Sequence, residues 1–391
     1  MFQFTLSEDG KYYILTNAFG DLPSKVEIPA RYEGLPVKEI GEQAFFKKRN
    51  IKRIDLPEGI TKIGKYAFSC MTSLEEVFFN EGVLEICDNA FAMCENLVEV
   101  YLPNTLKTIG ISAFGCCKKL AEINVVNVTL IKNNAFDYCE SLKRIVFDKT
   151  TEQKKLYGAC FKDCTNLEEV VFSSSVVIYD TAFENTGIED LEIPDGSTLS
   201  KGCFANCKNL QSLTVGKKVT FSNYAHDYSI FSEYRLEKEE IFNGSDNLKT
   251  LVLKERNPYA IRAIEKTVEH IIFDGAESIE RNDIYHLSNL RKITLTPSVK
   301  KIEAWAIGLS NLYVFRHPSN KIDDCKCPRL REIVVENFKG WQVYLPKKKK
   351  PLKIKDKVFK NKQTTIEFMM NKYKDCDWVN VTKFSDKMKK N

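Results

Sequence analysis

The stretches IGKYAFSCMTSLEEVFF (Ile63–Phe79) and ICDNAFAMCENLVEVYLP (Ile86–Pro103) differ in most polar letters and agree in most apolar ones. They start 23 residues apart, and the same pattern recurs along the chain. Taking the aromatic of each AF-type pair as marker, Phe45, Phe68, Phe91, Phe114, Phe136, Phe161, Phe183 and Phe204 follow at spacings of 23, 23, 23, 22, 25, 22 and 21. An aliphatic stands five residues before each: Ile40, Ile63, Ile86, Ile109, Ile131, Leu156, Ile178 and Leu199. A cysteine stands three residues after five of them, at Cys94, Cys117, Cys139, Cys164 and Cys207. A strand-like L-x-x-φ-x-φ segment closes the unit, as in Leu97-Val100-Leu102 and Leu120-Ile123-Val125.

A unit this short, with one strand, cannot bury its apolar face alone. Stacked units can, with Leu over Leu and Phe over Phe in one continuous core and the strands paired in parallel. Most AF and Cys positions therefore read as wall rather than site. The pattern continues with weaker letters at Ile284, Leu290-Ile293-Leu295, Ile307, Leu312 and Leu330-Ile333-Val335, which predicts about 13 rungs over 40–335, irregular after 216. Residues 1–39 read as an N-terminal cap and 336–391 as a basic C-terminal capping segment containing Trp378. YRLEKEEIF, within the lengthened 216–247 stretch, and AIRAIEKTVEH at 260–270 read as short helices.

The unit I-G-x-x-A-F-x-x-C-x-x-L-x-x-φ-x-φ-P resembles the BspA-like, Treponema-type leucine-rich repeat. That resemblance implies an α/β-type repeat solenoid, a right-handed superhelix with a parallel sheet on its concave face and short helical or irregular segments on the convex one. It also implies a non-enzymatic role in protein or glycan recognition, including adhesion. The slot that carries Asn or Cys in commoner leucine-rich repeats holds Gly82 or Thr105, so no Asn ladder is expected. Pro57, Pro103, Pro194 and Pro318 end strands instead, where no ladder donor is needed.

The chain has 391 residues, of which 43% are hydrophobic and 28% charged, and no apolar run is long enough to span a bilayer as a helix. Its net charge of +5 is uneven: residues 338–391 hold 16 Lys, no Arg and 5 acids, a surplus of 11, which leaves the repeat body near −6. The run KKKK at 347–350 is the kind of segment that meets phosphate groups of nucleic acid or an anionic membrane. A solvated tail is the favoured reading. The 13 cysteines are odd in number and five of them recur at one repeat position, which predicts reduced, buried thiols. MFQFTLSEDGKYY lacks the basic-then-apolar order of a signal peptide. Sequence thus points to the cytoplasm, whereas the resemblance implies the cell surface or secretion.

No nucleophile elbow, phosphate-binding Gly loop or H-E-x-x-H motif is present, and His226, His270, His286 and His317 sit in unrelated contexts. No catalytic group, cofactor or metal is expected. Cys325 and Cys327 lack a second ligand pair and read as ordinary thiols.

Within each strand, side chains alternate between faces. The outward columns read Arg53, Glu76, Glu99, Glu122, Arg144, Glu169, Asp190, Ser212 and Asp55, Phe78, Tyr101, Asn124, Val146, Val171, Glu192, Thr214. Aromatics beside charges have the composition of an interface centre. The candidate partner-binding residues are therefore Glu76, Phe78, Glu99, Tyr101, Glu122, Asn124, Arg144 and Val146. Two readings stand: a binding scaffold that uses this face, and a structural or surface spacer without a ligand site.

Overall fold

The computed structural model describes residues 2–148, 152–222, 241–264, 266–280, 283–284, 287–299, 301–302, 332–335, 341–344, 352–353 and 377–380. The chain forms a β-solenoid of about 11 turns with almost no helix, divided into two compact units. The first comprises Met1–Leu210 with Thr220–Ser245, the second Gln211–Val219 with Asp246–Asn391.

In the first unit each turn contributes to two parallel ladders. One is the expected φ-x-φ strand: Lys25–Glu27, Arg53–Asp55, Glu76–Phe78, Glu99–Tyr101 and Glu122–Ile123 form a five-stranded sheet. Arg144–Phe147 and Glu169–Phe172 pair as a separate two-stranded sheet. The other ladder was not anticipated. The repeat aliphatics from Ile40 to Ile178 each end a strand, such as Lys62–Ile63, Glu85–Ile86 and Thr108–Ile109, and these strands join a 12-stranded sheet. Gly110 follows one such strand closely enough that a Cβ would lie 2.5 Å from the backbone of Cys87 and Asp88, which explains the I-G pair there.

The AF segment is the irregular, non-helical part of each turn, and it repeats one conformation from turn to turn. Residues two before and two after each Phe adopt the left-handed conformation: Asn89 (φ 58°) and Met93 (φ 60°) around Phe91, Asn134 (58°) and Tyr138 (56°) around Phe136. Asn accepts this region more readily than most residues, which suits Asn89 and Asn134 to their places before AF. The result is a third set of rung-to-rung hydrogen bonds. Asn89, Phe91 and Met93 donate their N–H groups to the carbonyls of Ile111, Ala113 and Gly115, at 2.7, 2.7 and 2.8 Å. Neighbouring turns repeat the arrangement, so the backbone of this segment is satisfied although it is neither helix nor sheet.

Inside, the Phe column is continuous. Phe91 and Phe114 are fully buried and stack at 5.1 Å with 4° between their planes. The stack runs from Phe45 to Phe204 at centroid spacings of 5.0–5.3 Å. It ends on Phe242, which fills the slot after the lengthened segment and is 38 residues from Phe204. The repeat thiols form a second column. Cys94, Cys117, Cys139, Cys164 and Cys207 are buried, and each donates its S–H to the carbonyl of a Phe one turn back, at 3.1–3.3 Å. Burial pushes the Cys94 thiol up to about 12 and holds Cys117 and Cys139 well above the ordinary value.

The lead-in seeds both ladders. Tyr13–Ala18 pairs with Phe2–Leu6 antiparallel and with Leu35–Ile40 in parallel, while Lys25–Glu27 pairs with Arg53–Asp55. The Ala18 N–H satisfies the Ala44 carbonyl, and Phe2 lies edge-on against Phe45, closing the Phe column.

In the second unit Ser212–Val215, Thr250–Leu253, His270–Phe273, Lys292–Leu295 and Glu332–Val335 pair in parallel, in that order. Lys292–Leu295 and Glu332–Val335 are direct neighbours in this sheet. The helix expected over 260–270 is confined to Pro258–Ala263, capped by the Asn257 side chain, because His270 already belongs to a strand. Asp377–Asn380, which contains Trp378, pairs antiparallel with Lys301–Ile302 and Trp341–Tyr344. That reversal of direction occupies the open edge of a parallel ladder. The readings placed on the helix in 234–240, on Ile307, Leu312, Pro318, Cys325 and Cys327, on Leu330, on His226, His286 and His317, and on the run 347–350 lie outside the described residues.

Candidate functional site

The face assignment holds at the strand level. Glu76, Glu99 and Glu122 are in register on adjacent strands, as are Phe78 and Tyr101, and all five are exposed. Between them, Val77 and Val100 point into the core. Phe78 is 44% and Tyr101 62% exposed. Glu76, Val77, Phe78, Glu99 and Tyr101, with Glu75, Asn96, Val98 and Lys119, line a cleft of about 370 Å³, and Glu122 stands on the next strand beside it. Core rings on adjacent turns stack near 5 Å, whereas no ring contact joins Phe78 to Tyr101 among the described residues.

One ring of the cleft, Phe78, already carries an internal cation. The Arg53 guanidinium lies 3.8 Å from the centroid of the Phe78 ring, a cation–π geometry. Asp55 holds it at 2.8 Å and Glu76 at 3.4 Å. Partial burial pushes the Asp55 carboxyl up, but hydrogen bonds from Arg53 and Lys25 outweigh it and keep it below its ordinary value. One turn further, Tyr101 donates its hydroxyl to Glu99 at 3.3 Å. The charges of Glu99 and then this hydrogen bond raise the Tyr101 phenol, with Glu122 adding to the effect. No Lys or Arg comes within 4.0 Å of the Glu99 or Glu122 carboxylates among the described residues.

The remaining candidates do not join this cluster. Asn124 turns its amide to the backbone, accepting from the Leu102 N–H at 2.6 Å and donating to the Leu102 carbonyl at 2.9 Å. It continues the ladder with a side chain, and the strand it follows is only two residues long. Arg144 and Val146 lie on the separate two-stranded sheet, where Arg144 is held by Glu169 at 2.6 Å. Arg53, absent from the candidate set, contacts two of the cleft residues, Phe78 and Glu76. Its position opposite Glu76 in the outward columns was the available signal.

A second feature has no counterpart in the repeat. Lys154 is 1% exposed and in register with buried Val176. Its amine donates to the carbonyls of Val126 and Val128, both at 2.9 Å, and lies 5.9 Å from the Phe147 ring. Burial lowers its pKa to about 8, against the opposing pull of Asp148. Among the described residues no group of three or more His, Cys, Asp and Glu side chains is placed to hold a metal ion. The Nε2 of His270 is paired with the Thr294 hydroxyl at 2.9 Å.

A stacked parallel ladder with a patterned outward face defines a repeat scaffold. The BspA type leucine rich repeat region matches residues 16–143, 129–249, 229–326 and 257–369, and the chain belongs to this family. Among solved structures, the Treponema pallidum leucine-rich repeat protein is 28% identical over 46% of this chain and 86% of its own, with a TM-score of 0.43. A Bacteroides ovatus leucine-rich repeat protein is 20% identical over 78% and 89%, also at 0.43. A leucine-rich cell surface protein of Faecalibacterium prausnitzii is 17% identical over 86% and 94%, at 0.38. No curated protein matches.

Proposed function

We propose that the chain is a non-catalytic recognition scaffold that binds a protein partner on the outward face of the φ-x-φ sheet, centred on Glu76, Phe78, Glu99 and Tyr101. The observation that carries this reading is the cleft between two half-exposed rings on adjacent turns, with carboxylates along its edge. Aromatic anchors in a depression are the usual energetic centre of an interface, and water-exposed rings gain most when a partner covers them. Glu122 extends the face by one turn, and Arg144 and Val146 lie beyond it as rim residues. The alternative, a spacer without a ligand site, leaves the two outward rings to the general preference of aromatics for strands. A glycan ligand also suits an aromatic platform, but the acidic edge favours a protein surface.

The test compares capture by the full chain with capture by the Phe78→Ala/Tyr101→Ala variant. Both side chains are exposed, so the variant is expected to fold with an unchanged circular dichroism spectrum. Proteins retained by the wild type should be lost by the variant. Equal retention would place the site elsewhere, and unfolding of the variant would show that these side chains point inward.

A further inference from the structure

The cleft is one turn out of step with a site that the protein fills itself, and that offset identifies what it takes. In the filled site a cation, Arg53, lies on the face of Phe78 and is held by two carboxylates, Asp55 and Glu76. Moving one turn along the ladder replaces Phe78 by Tyr101 and Glu76 by Glu99, and puts Phe78 where Asp55 stood; a further carboxylate, Glu122, lies in register with Glu99 on the next strand. The position held by Arg53 is then occupied by Glu76, its partner in register. The second site therefore repeats the ring and one of the two acids without the cation, and Glu122 on the following strand offers the second acid. Lys119 lines the cleft, yet it makes no ion pair within 4.0 Å among the described residues.

We infer that the cleft receives an arginine or lysine side chain from an extended basic segment of a partner protein, seated on Tyr101 and paired with Glu99 and Glu122. This rests on the protein-recognition reading above and specifies the partner's chemistry. The physical terms are those of the filled site: a cation over a π face, and charge-assisted hydrogen bonds to carboxylates. Arginine suits the site better than lysine, because its planar group stacks on the ring while its edge meets a carboxylate, as Arg53 does. Three carboxylates on successive turns, Glu76, Glu99 and Glu122, give the segment a track about 10 Å long at the strand spacing. Basic residues placed along an extended peptide meet that track in succession.

The probe is a fluorescein-labelled peptide of alternating glycine and arginine, titrated against the full chain at low and at physiological ionic strength by fluorescence anisotropy. Binding is expected, and Tyr101→Ala and Glu99→Gln/Glu122→Gln should each weaken it about tenfold. Asp190→Asn/Glu192→Gln removes the same charge from the same face at a turn without an outward ring, and should change binding less than about twofold. Equal losses in the two charge variants would mean that a diffuse acidic field binds the peptide, and would overturn the site. Absence of peptide binding also overturns it. If capture of partner proteins is nevertheless lost in Phe78→Ala/Tyr101→Ala, the protein-recognition reading survives and only the cationic occupant fails. Sedimentation of the wild type and Glu99→Gln/Glu122→Gln tests the other occupant. A concentration-dependent dimer present only in the wild type would assign the cleft to a second copy of this chain and overturn the separate basic partner.

Discussion

Replacing Lys154 by methionine should change how stability depends on pH more than it changes stability itself. The amine is buried and serves two carbonyls, Val126 and Val128. A neutral amine has two N–H groups, enough for both. The third N–H of the ammonium form has only the face of Phe147 nearby, and the charge is poorly solvated. The folded pKa is thus lowered from 10.5 to about 8. The unfolded chain binds more protons than the folded one between these values, so this residue's contribution rises with pH across the window. The full change is about 3 kcal/mol, with the penalty complete below pH 8 and absent above about 10.5. The buried thiols act in the opposite sense. Their folded pKa values are raised, so the stability they contribute is complete below the unfolded value near 9 and falls as pH rises beyond it. The difference between Lys154→Met and the wild type cancels the thiol effect. Urea unfolding of both proteins in steps from pH 7 to 10.5 should show the wild type gaining about 3 kcal/mol on the variant. A difference that stays constant with pH would refute the buried-amine reasoning.

Phe91→Ala removes a ring stacked on both sides and should cost about 3–5 kcal/mol in urea unfolding, whereas a loss under 1 kcal/mol would contradict a close-packed Phe column. Thr181 is β-branched and left-handed at φ 55°, so Thr181→Gly should raise stability by about 1 kcal/mol in spite of the added chain entropy. A lower melting temperature would show that its side chain contributes more than the strain it carries. Iodoacetamide labelling of the native protein, read by peptide mapping, should modify Cys70 and Cys116 well before Cys94, Cys117, Cys139, Cys164 and Cys207. Uniform labelling would contradict the burial of the thiol column.

The features that repeat were legible in the sequence. Phe, Cys and Leu recur at fixed offsets, so stacking, register and the outward columns follow from letters alone, and Phe78 and Tyr101 fall where alternation places them. What the letters hid has physical causes. The ladder beside each AF pair depends on backbone handedness, and only some of its positions carry the Asn or Gly that betrays it; Tyr66, Thr181 and Ala159 occupy the same conformation without a signal. Phe242 lies 38 residues beyond Phe204, outside any window set by a period near 23. Lys154 looks like an ordinary surface lysine, because its burial comes from the turns packed around it. Asn124 alternates outward correctly, yet its amide finds nearer partners in the Leu102 backbone. The pairing of Arg53 with Phe78 links the first outward column of one turn to the second column of the next, a diagonal relation that reading down single columns does not show.

The central claim is that one repeat writes both a buried wall of rings and an exposed pair that binds. Hydroxyl-radical footprinting of the full chain, read by mass spectrometry, tests both halves in one measurement. Phe78 and Tyr101 should oxidise readily, Phe68, Phe91 and Phe114 should stay inert until unfolding, and the glycine–arginine peptide should protect Tyr101. Oxidation of the Phe column at rates like those of Phe78, or a Tyr101 rate unchanged by saturating peptide, would contradict the account.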